Sequence, residues 1–384
     1  MIQVQDKRGC CGCTACASIC NHDAICMQVD EMGFKYPVVD VDKCVECGLC
    51  ETVCAFHEHY DVTSNFQEPF VYAVRHKNYD EIKTSRSGAM FTALSDFIFE
   101  KDGIVYGVGY ADHFRVIHKR ITNREDCKEL KGSKYVQSDL EGIFRAVKKD
   151  LIAGYEVLFS GTPCQTAGLR SFLGKKNWEN LYLCDIVCHG VPSPKVWKDY
   201  LNYWETKENS PIVVVNFRDK EKGWTAHFES FMFQNGKKKI VHTFTDLFYK
   251  HLILRPSCSV CKYTNTKRPS DITVADFWGW EKAVPGFNAD DMGCSLVFVN
   301  TPKGEQLFQQ VIPDIQVIQT SLEYCMQPNL KYPSAFSPQY ERFWQDYQRK
   351  GFDFITKRYG DQGIRHKISQ CKKKIKRIIK YCIK

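Results

Sequence analysis

One cysteine spacing, present twice within the first sixty residues, constrains this chain more than any other feature. Each copy follows the pattern C-x-x-C-x-x-C-x-x-x-C, and the two copies comprise Cys10, Cys13, Cys16 and Cys20, then Cys44, Cys47, Cys50 and Cys54. A tight turn with a thiolate at every third position can wrap three corners of an iron–sulfur cubane, while the fourth cysteine reaches a second cluster. The spacing therefore predicts two 4Fe–4S clusters.

The same spacing predicts which cysteines share a cluster. The two expected sets are Cys10, Cys13, Cys16 and Cys54, and Cys44, Cys47, Cys50 and Cys20. Gly12 and Gly48 leave the backbone free to turn closely around the inorganic core. Zinc is the alternative, since C-x-x-C pairs also form tetrahedral zinc sites. Two sets of four evenly repeated thiols favour the clusters.

Composition indicates a reducing compartment for these thiols. The chain has 384 residues and 20 cysteines, with 43% hydrophobic and 26% charged residues, which is ordinary for a soluble globular protein. The N-terminal sequence MIQVQDKRGCCGC lacks the apolar segment of a signal peptide, and no apolar run has the length of a membrane span. We therefore expect a soluble, cytoplasmic protein.

The excess positive charge of the chain is concentrated at its end. The formal net charge is +8, and residues 366–384 contain eight Lys and Arg and no acid. A nucleic-acid surface on the body is therefore not predicted. Apolar residues recur at spacings of three and four from Ile364, which predicts a basic amphipathic helix. Such a helix could contact an anionic membrane surface, an acidic partner or the protein's own core.

Beyond the cysteine-rich segment, strands alternate with helices. The predicted strands cover residues 71–76, 103–110, 114–121, 156–161 and 295–300, and the predicted helices cover 87–100, 140–151 and 301–311. Residues 212–245 form a predicted antiparallel insertion, in which Asn235-Gly236 is a hairpin turn signal. Thr301 followed by Pro302 is typical of a helix start. The body is predicted to be a mixed α/β domain.

Four phrases in the body indicate a family. They are SRSG at 85–88, SGTPCQTAGL at 160–169, CDIVCHGVPSP at 184–194 and CSVCKYTNTKRPSDITVADFWG at 258–279. In this order, behind a segment similar to two-cluster bacterial ferredoxins over residues 8–56, they resemble the coenzyme F420 hydrogenase/dehydrogenase beta-subunit family over nearly residues 1–335. The chain departs from these patterns at Asn21 and Ala55, which replace proline, and at Ala89 and Ala275, which replace glycine.

The resemblance implies a third 4Fe–4S cluster in the body. By carry-over, its ligands would be Cys164, Cys188, Cys258 and Cys261. A C-x-x-C pair and two thiols at the ends of loops can complete a four-thiolate site. Two alternatives remain open, namely zinc bound by Cys258 and Cys261 with two other ligands, and a catalytic thiol at Cys164.

The resemblance also implies a flavin, either FAD or FMN, in the body. The expected flavin-binding residues are Ser85, Ser87, Gly88, Lys134, Gly161 and Thr162. The SGTP phrase opens a helix, whose N-terminus can bind an anion. Lys134, within the phrase GSKY, and His189 are weak candidates for catalysis. An ordinary helix cap, a solvated lysine and a turn-capping histidine are the alternative interpretations.

The resulting fold class is α+β, with an N-terminal ferredoxin-like two-cluster module followed by a mixed α/β flavin and iron–sulfur domain with an antiparallel insertion. The predicted division is 1–60 for the 2x 4Fe–4S module, 61–70 for a linker, 71–150 and 151–335 for the N-terminal and C-terminal regions of the beta-subunit body, and 336–384 for a helical basic tail.

The predicted function is that of an iron–sulfur flavoprotein oxidoreductase. Electrons would pass between the ferredoxin-type clusters, the third cluster and the flavin, which would exchange hydride with a small molecule, either a deazaflavin coenzyme or another substrate. The expected partners are a one-electron donor or acceptor protein and this small molecule. The alternatives are a non-catalytic electron-transfer subunit of a larger dehydrogenase complex and a zinc-stabilised scaffold.

Overall fold

The strands in the described part of the protein form two small antiparallel sheets and one large mixed sheet. The structure is a computed structural model that describes residues 1–56 and 60–364. The strands in this part are β1 Ile25–Val29, β2 Lys35–Val39, β3 Phe70–His76, β4 Ile104–Tyr110, β5 Val116–Ile121, β6 Val157–Gly161, β7 Leu181–Ile186, β8 Ile212–Asn216, β9 Glu229–Phe233, β10 Lys238–Val241, β11 Ile272–Asp276, β12 Ser295–Val299 and β13 Ile315–Thr320.

The helices begin at sequence positions with recognisable caps. The α-helices in the described ranges are α1 Ala15–Ile19, α2 Leu49–Thr52, α3 Tyr79–Thr84, α4 Met90–Glu100, α5 Ile143–Ile152, α6 Pro163–Leu173, α7 Pro194–Glu208, α8 Thr243–Tyr249, α9 Trp280–Ala283, α10 Pro302–Val311, α11 Leu322–Cys325 and α12 Tyr340–Arg358. The predicted start at Thr301 is confirmed, because its side chain accepts a hydrogen bond from the Gly304 N–H at 2.9 Å.

Two helices begin later than predicted, and backbone conformation explains both differences. Helix α4 begins at Met90 because Ala89 adopts a left-handed conformation with φ of 64°. Helix α5 begins at Ile143 because Gly142 has φ of 76°. A left-handed residue cannot continue a right-handed helix, so each stretch before it stays outside the helix.

The large sheet determines where a site can form. Its strand order is β13-β3-β12-β11-β7-β6-β4-β5, and β11, β7, β6 and β4 run parallel to one another. The carboxyl ends of these parallel strands therefore meet at one edge, which is where open α/β sheets bind ligands. Strands from both predicted body regions, 71–150 and 151–335, belong to this sheet.

The predicted antiparallel insertion is confirmed as the sheet β10-β9-β8. It packs with α7, α8 and α12 around an aromatic core, whose buried members include Trp197, Tyr200, Trp204, Phe217, Phe231 and Phe244. This core holds the insertion against the carboxyl edge of the large sheet.

The cysteine-rich N-terminal segment lies directly on the body. The Arg145 side chain, on α5, donates hydrogen bonds to the carbonyls of Ser18 at 2.9 Å and Cys20 at 2.6 Å. The Ser171 hydroxyl, on α6, donates to the carbonyl of Val53 at 2.7 Å. Both body helices therefore bind backbone groups that flank the cysteine motifs.

The end of the chain is only partly described. None of the helices in residues 1–56 and 60–364 combines the length and apolarity that a membrane span requires. The predicted basic helix lies almost entirely within residues 365–384, outside the described residues, as do Cys371 and Cys382.

An ion pair is buried beneath the carboxyl edge of the large sheet. Asp185, in β7, and Arg268 have side-chain exposures of 0% and 1%, and the Arg268 Nη2 atom lies 3.1 Å from the Asp185 Oδ1 atom. Burial raises the pKa of Asp185, and Arg268 acts against this shift. Arg268 also donates hydrogen bonds to the carbonyls of Tyr263 at 2.7 Å and Ile186 at 2.9 Å.

Replacing Arg268 with methionine should lower the free energy of unfolding by about 3–5 kcal/mol, because it leaves the buried Asp185 without its partner. Urea unfolding followed by circular dichroism measures the loss. Arg124→Met is the matched control, since Arg124 forms an exposed pair with Asp96 at 2.7 Å and should cost no more than about 1 kcal/mol. Equal losses in the two variants would contradict a structural role for the buried pair.

Candidate cysteine clusters and the adjoining cavity

The two N-terminal cysteine loops share one backbone conformation. The second and fourth residues after the first cysteine have positive φ in both loops, at 71° for Gly12, 67° for Thr14, 54° for Glu46 and 74° for Gly48. Only half of these left-handed positions are glycine. The other two adopt a conformation that costs L-residues roughly 1–2 kcal/mol each, so the geometry of the loops is maintained against local preference.

The first predicted set of cysteines is brought together. Burial raises the pKa of Cys16, and three neighbouring thiols raise it further, namely Cys13, Cys10 and Cys54. The fourth cysteine of the second motif therefore lies beside the first loop, as the spacing predicts.

The second predicted set lies around one small cavity. The cysteines lining that cavity are Cys20, Cys44, Cys47 and Cys50. Cys47 is exposed, whereas Cys50 is buried and its Sγ atom accepts a hydrogen bond from the Ile2 N–H at 3.3 Å. This set consequently lies nearer the protein surface than the first.

The third predicted set forms where two parallel strands end. Cys164 follows β6, at the start of α6, and Cys188 follows β7. Cys258 and Cys261 approach from a 3-10 helix, Pro256–Val260, and the residue after it. Burial raises the pKa of Cys188, and the thiols of Cys258, Cys164 and Cys261 add to this shift. All four predicted ligands are therefore neighbours.

Backbone N–H groups point at most of these sulfur atoms. The donors and their sulfur acceptors are Gly12 to Cys10, Ala15 to Cys13, Ala17 to Cys16, Ala24 to Cys20, Gly190 to Cys188, Val191 to Cys258 and Tyr263 to Cys261. Each N–H favours the thiolate, which is the form that binds metal. The donor set of the three groups thus suits iron–sulfur clusters.

Cys11, which lies outside the motif spacing, connects the first and third sets. Its buried thiol is hydrogen-bonded to Cys13 and Cys164, which raises the pKa of Cys11 and lowers the pKa of both partners. Helix α6 has a glycine at this contact, and a Cβ atom on Gly168 would lie 2.7 Å from the Cys13 Sγ atom. A larger residue there would separate the first loop from the helix that carries Cys164.

Arg255 fastens the first cysteine loop to the body, a role that was not predicted from the sequence. Its buried guanidinium donates hydrogen bonds to the carbonyls of Cys10 at 2.8 Å and Lys35 at 2.9 Å, and to the Gln137 Oε1 atom at 2.9 Å. The Arg255 carbonyl accepts a hydrogen bond from the Cys258 N–H at 3.0 Å. A fixed positive charge therefore lies between the first and third sets. Its position three residues before the C-x-x-C pair was the available signal.

Replacing Arg255 with methionine should loosen the N-terminal segment, because the buried acceptors on Cys10, Lys35 and Gln137 lose their donor. We expect a stability loss of at least about 2 kcal/mol, since each buried acceptor left unsatisfied costs about 1–3 kcal/mol. Urea unfolding and amide hydrogen exchange within residues 1–56 measure it. Arg145→Met is the control, because Arg145 also binds this segment but is 46% exposed. A smaller loss in Arg255→Met than in Arg145→Met would refute the assignment.

A cavity of about 420 Å³ lies at the carboxyl edge of the parallel strands, beside the third set. The predicted flavin-binding and catalytic residues that line it are Ser85, Ser87, Lys134, Gly161, Thr162 and His189. Gly88 lies behind this wall, where its N–H donates a hydrogen bond to the Ser295 Oγ atom at 2.9 Å. Cys188 also lines the cavity, so the third set of thiols adjoins it.

Several predicted flavin-binding groups already have partners within the protein. The Thr162 N–H donates a hydrogen bond to the Gln165 Oε1 atom at 2.9 Å, and the Ser87 hydroxyl donates to the Cys294 carbonyl at 2.7 Å. Lys134 donates to two backbone carbonyls, at 2.8 and 2.9 Å. Burial lowers the pKa of Lys134 to about 7, so this ammonium loses its proton more easily than an ordinary lysine.

His189 belongs to a small histidine network at the cavity wall. Its Nε2 atom lies 2.8 Å from the His251 Nε2 atom, and its Nδ1 atom lies 3.1 Å from the Asn329 Oδ1 atom. Burial and the neighbouring His251 lower the pKa of His189 to about 4. The ring also packs against Phe248, with the ring centroids 4.8 Å apart.

Two arginines at the other side of the cavity were not predicted. Arg86 donates a hydrogen bond to the Trp224 carbonyl at 2.7 Å, and Arg218 donates to the same carbonyl at 3.0 Å. Arg218 also forms an ion pair with Asp276. Arg86 lies within the phrase SRSG, and Asp276 lies within ADFWG, so the phrases did mark two of these positions. Nothing in the sequence indicated Arg218.

Comparison with protein families finds one match within the body. Residues 154–323 match the family that describes the C-terminal region of the coenzyme F420 hydrogenase/dehydrogenase beta subunit. Over this range the chain is similar to that family. The family is a component of hydrogenase and dehydrogenase complexes and is associated with iron–sulfur clusters. The range includes all four cysteines of the third set and excludes both N-terminal motifs.

Other comparisons add little to the beta-subunit assignment. A chain from the F420-reducing NiFe hydrogenase complex of Methanosarcina barkeri superposes with a TM-score of 0.46 and 17% identity, covering 78% of this chain and 94% of that chain. A likeness at this level says nothing about ligands or activity. No curated protein matches the chain.

Within residues 1–56 and 60–364, no three His, Cys, Asp or Glu side chains converge closely enough to hold one ion. Thiolates around one zinc ion lie about 2.3 Å from the metal, whereas the corners of a cubane hold them farther apart.

Proposed function

We propose that this beta-subunit relative is an iron–sulfur flavoprotein oxidoreductase with two 4Fe–4S clusters in residues 1–60, a third in the body and FAD or FMN in the cavity. One observation carries the proposal: the third set of cysteines adjoins the cavity through Cys188 and meets the first set through Cys11. The first and third groups of thiols and a ligand-sized cavity are thus contiguous.

The cysteine groups support the cluster part of the proposal. Each group contains four thiols, and turns direct N–H donors at sulfurs in every group. The first would use Cys10, Cys13, Cys16 and Cys54, the second Cys20, Cys44, Cys47 and Cys50, and the third Cys164, Cys188, Cys258 and Cys261. The exposed Cys47 and its neighbour Val45, which is 57% exposed, offer a place for a one-electron protein partner to dock.

The cavity supports the flavin part. Its volume of about 420 Å³ falls within the range of small-molecule sites. Its walls include Tyr135, Phe248, Tyr249 and Trp278, which can pack against a planar ring. Bound clusters would supply single electrons and a flavin would handle one or two, which suits hydride chemistry on a small molecule. Lys134 Nζ, with a pKa of about 7, can exchange a proton near neutral pH.

Anaerobic reconstitution followed by metal and flavin analysis tests the proposal. We expect about twelve irons per chain, because each of three cubanes holds four, together with stoichiometric flavin and no zinc. About eight irons without flavin would instead indicate an electron-transfer subunit. Zinc with little iron would indicate a scaffold.

Replacing Cys261 with serine should remove one cluster from the reconstituted protein. We expect a loss of about four irons per chain, because three remaining thiolates hold a cubane poorly, while the electron paramagnetic resonance signal of the N-terminal pair persists. Cys26→Ser is the matched control, since Cys26 is exposed and belongs to none of the three sets. The third-cluster assignment fails if Cys261→Ser and Cys26→Ser retain the same iron content.

A further inference from the structure

Positive charge predominates on the cavity walls. The charged residues that line the cavity in the described part are the cations Arg86, Lys131, Lys134 and Arg218 and the acid Asp276. Lys131 forms an ion pair with Glu81, which lies outside the lining. A bound anion would therefore be attracted to this space.

Arg86 carries the charge that remains uncompensated. The carboxylate of Asp276 neutralises Arg218, whose exposed fraction is only 4%. Within residues 1–56 and 60–364, no carboxylate forms an ion pair with Arg86, whose two Nη atoms donate to the carbonyls of Arg218 and Trp224. Burial and the adjacent Arg218 lower the pKa of Arg86 to about 10, so it remains cationic at neutral pH. Two adjoining guanidiniums thus share one carboxylate.

Both guanidiniums retain a buried donor without an acceptor. The Nε atoms of Arg86 and Arg218 are buried and form no hydrogen bond in the described part of the chain. A buried donor left unsatisfied costs about 1–3 kcal/mol. A carboxylate or phosphate beside the pair would supply the missing charge, and arginine matches the geometry of either group.

Aromatic rings hold Arg218 in place. Trp278 stacks on Trp224, with ring centroids 4.6 Å apart, and the Arg218 guanidinium lies 5.3 Å from the centre of the Trp278 ring. The Trp224 indole N–H donates a hydrogen bond to the Asp276 Oδ1 atom at 3.1 Å. A preorganised guanidinium loses little freedom on binding, which favours specific recognition.

This arginine pair lies apart from the predicted phosphate-binding helix start. Thr162, at the start of α6, follows β6, whereas Asp276, the partner of Arg218, ends β11. Strand β7 lies between β6 and β11, so these strand ends are two strand spacings apart, about 10 Å. The arginine pair and the start of α6 therefore lie at different positions on the cavity wall.

We propose that Arg86 and Arg218 bind an anionic group of the substrate, a carboxylate or a phosphate, at the β11 end of the cavity. That the bound anion belongs to the substrate rests on the proposed function. Binding of an anion by Arg86 and Arg218 does not. The substrate class is thereby narrowed to small molecules that carry such a group within reach of the flavin site.

Calorimetric titration of the reconstituted full chain tests this inference. Malonate is the probe, and malonamide, which has the same shape without the charge, is its control. We expect malonate to bind and malonamide not to bind. Arg86→Gln should weaken malonate binding at least tenfold, whereas Arg86→Lys, which keeps the charge, should retain most of it. Arg342→Gln is the matched surface control, since Arg342 is 70% exposed, and it should change nothing.

The possible outcomes are distinguishable. Equal binding of malonate and malonamide, or equal malonate binding in Arg86→Gln and wild type, overturns the inference. If Arg86→Gln loses its flavin and malonate binds to wild type only when the flavin is absent, Arg86 binds the flavin phosphate. That result also overturns the inference. Arg86-dependent malonate binding by a chain that holds no flavin sustains the anion site, while the flavin part of the proposed function fails. Wild-type circular dichroism in Arg86→Gln excludes misfolding as the cause of lost binding.

Discussion

Burying many thiols close together while keeping them able to ionise is the constraint on which this structure depends. Burial raises the pKa of Cys16 and Cys188, and their neighbouring thiols raise it further. Backbone N–H groups from the turns act in the opposite direction, as does the buried charge of Arg255 beside Cys10. Such groups are unfavourable as free thiols and favourable as ligands, since bound metal takes the thiolate form. Cluster binding and folding are therefore expected to be coupled in this chain.

The large sheet brings the thiols of the third set and the cavity together. Parallel strands deliver Cys164 and Cys188 to one edge, together with the backbone turns that line the cavity. An antiparallel arrangement would send these two strand ends to opposite edges. The insertion β8–β10 then supplies the far wall, including Arg218, through an aromatic core of its own. The thiols and the cavity are adjacent because of topology rather than because of their spacing along the chain.

The sequence predicted features that depend on neighbouring residues, and it missed contacts between residues that are distant along the chain. The two N-terminal sets were predicted from a cysteine spacing that repeats within each motif. The structure brings Cys54 beside the first loop and Cys20 beside the second. Helices α4 and α5 were predicted, but their starts were misplaced because left-handed Ala89 and Gly142 leave no trace in hydrophobic periodicity. The position of Arg255 beside the C-x-x-C pair was visible in the sequence, but its partners were not, since they are distant in sequence and become neighbours only in the fold.

For the same reason, the sequence predicted which segments line the cavity but not which of their side chains could bind a ligand. Phrases such as SRSG and SGTP marked its walls, yet Ser87 and Thr162 use their polar groups on the protein itself. The unsatisfied donors belong instead to Arg86 and Arg218, from segments far apart in the chain. A sequence motif reports where the backbone turns, whereas the charge that a ligand meets is the sum over all segments that converge there. Selectivity for an anionic substrate would therefore depend on Arg218, which the insertion supplies, as well as on Arg86 of the SRSG phrase.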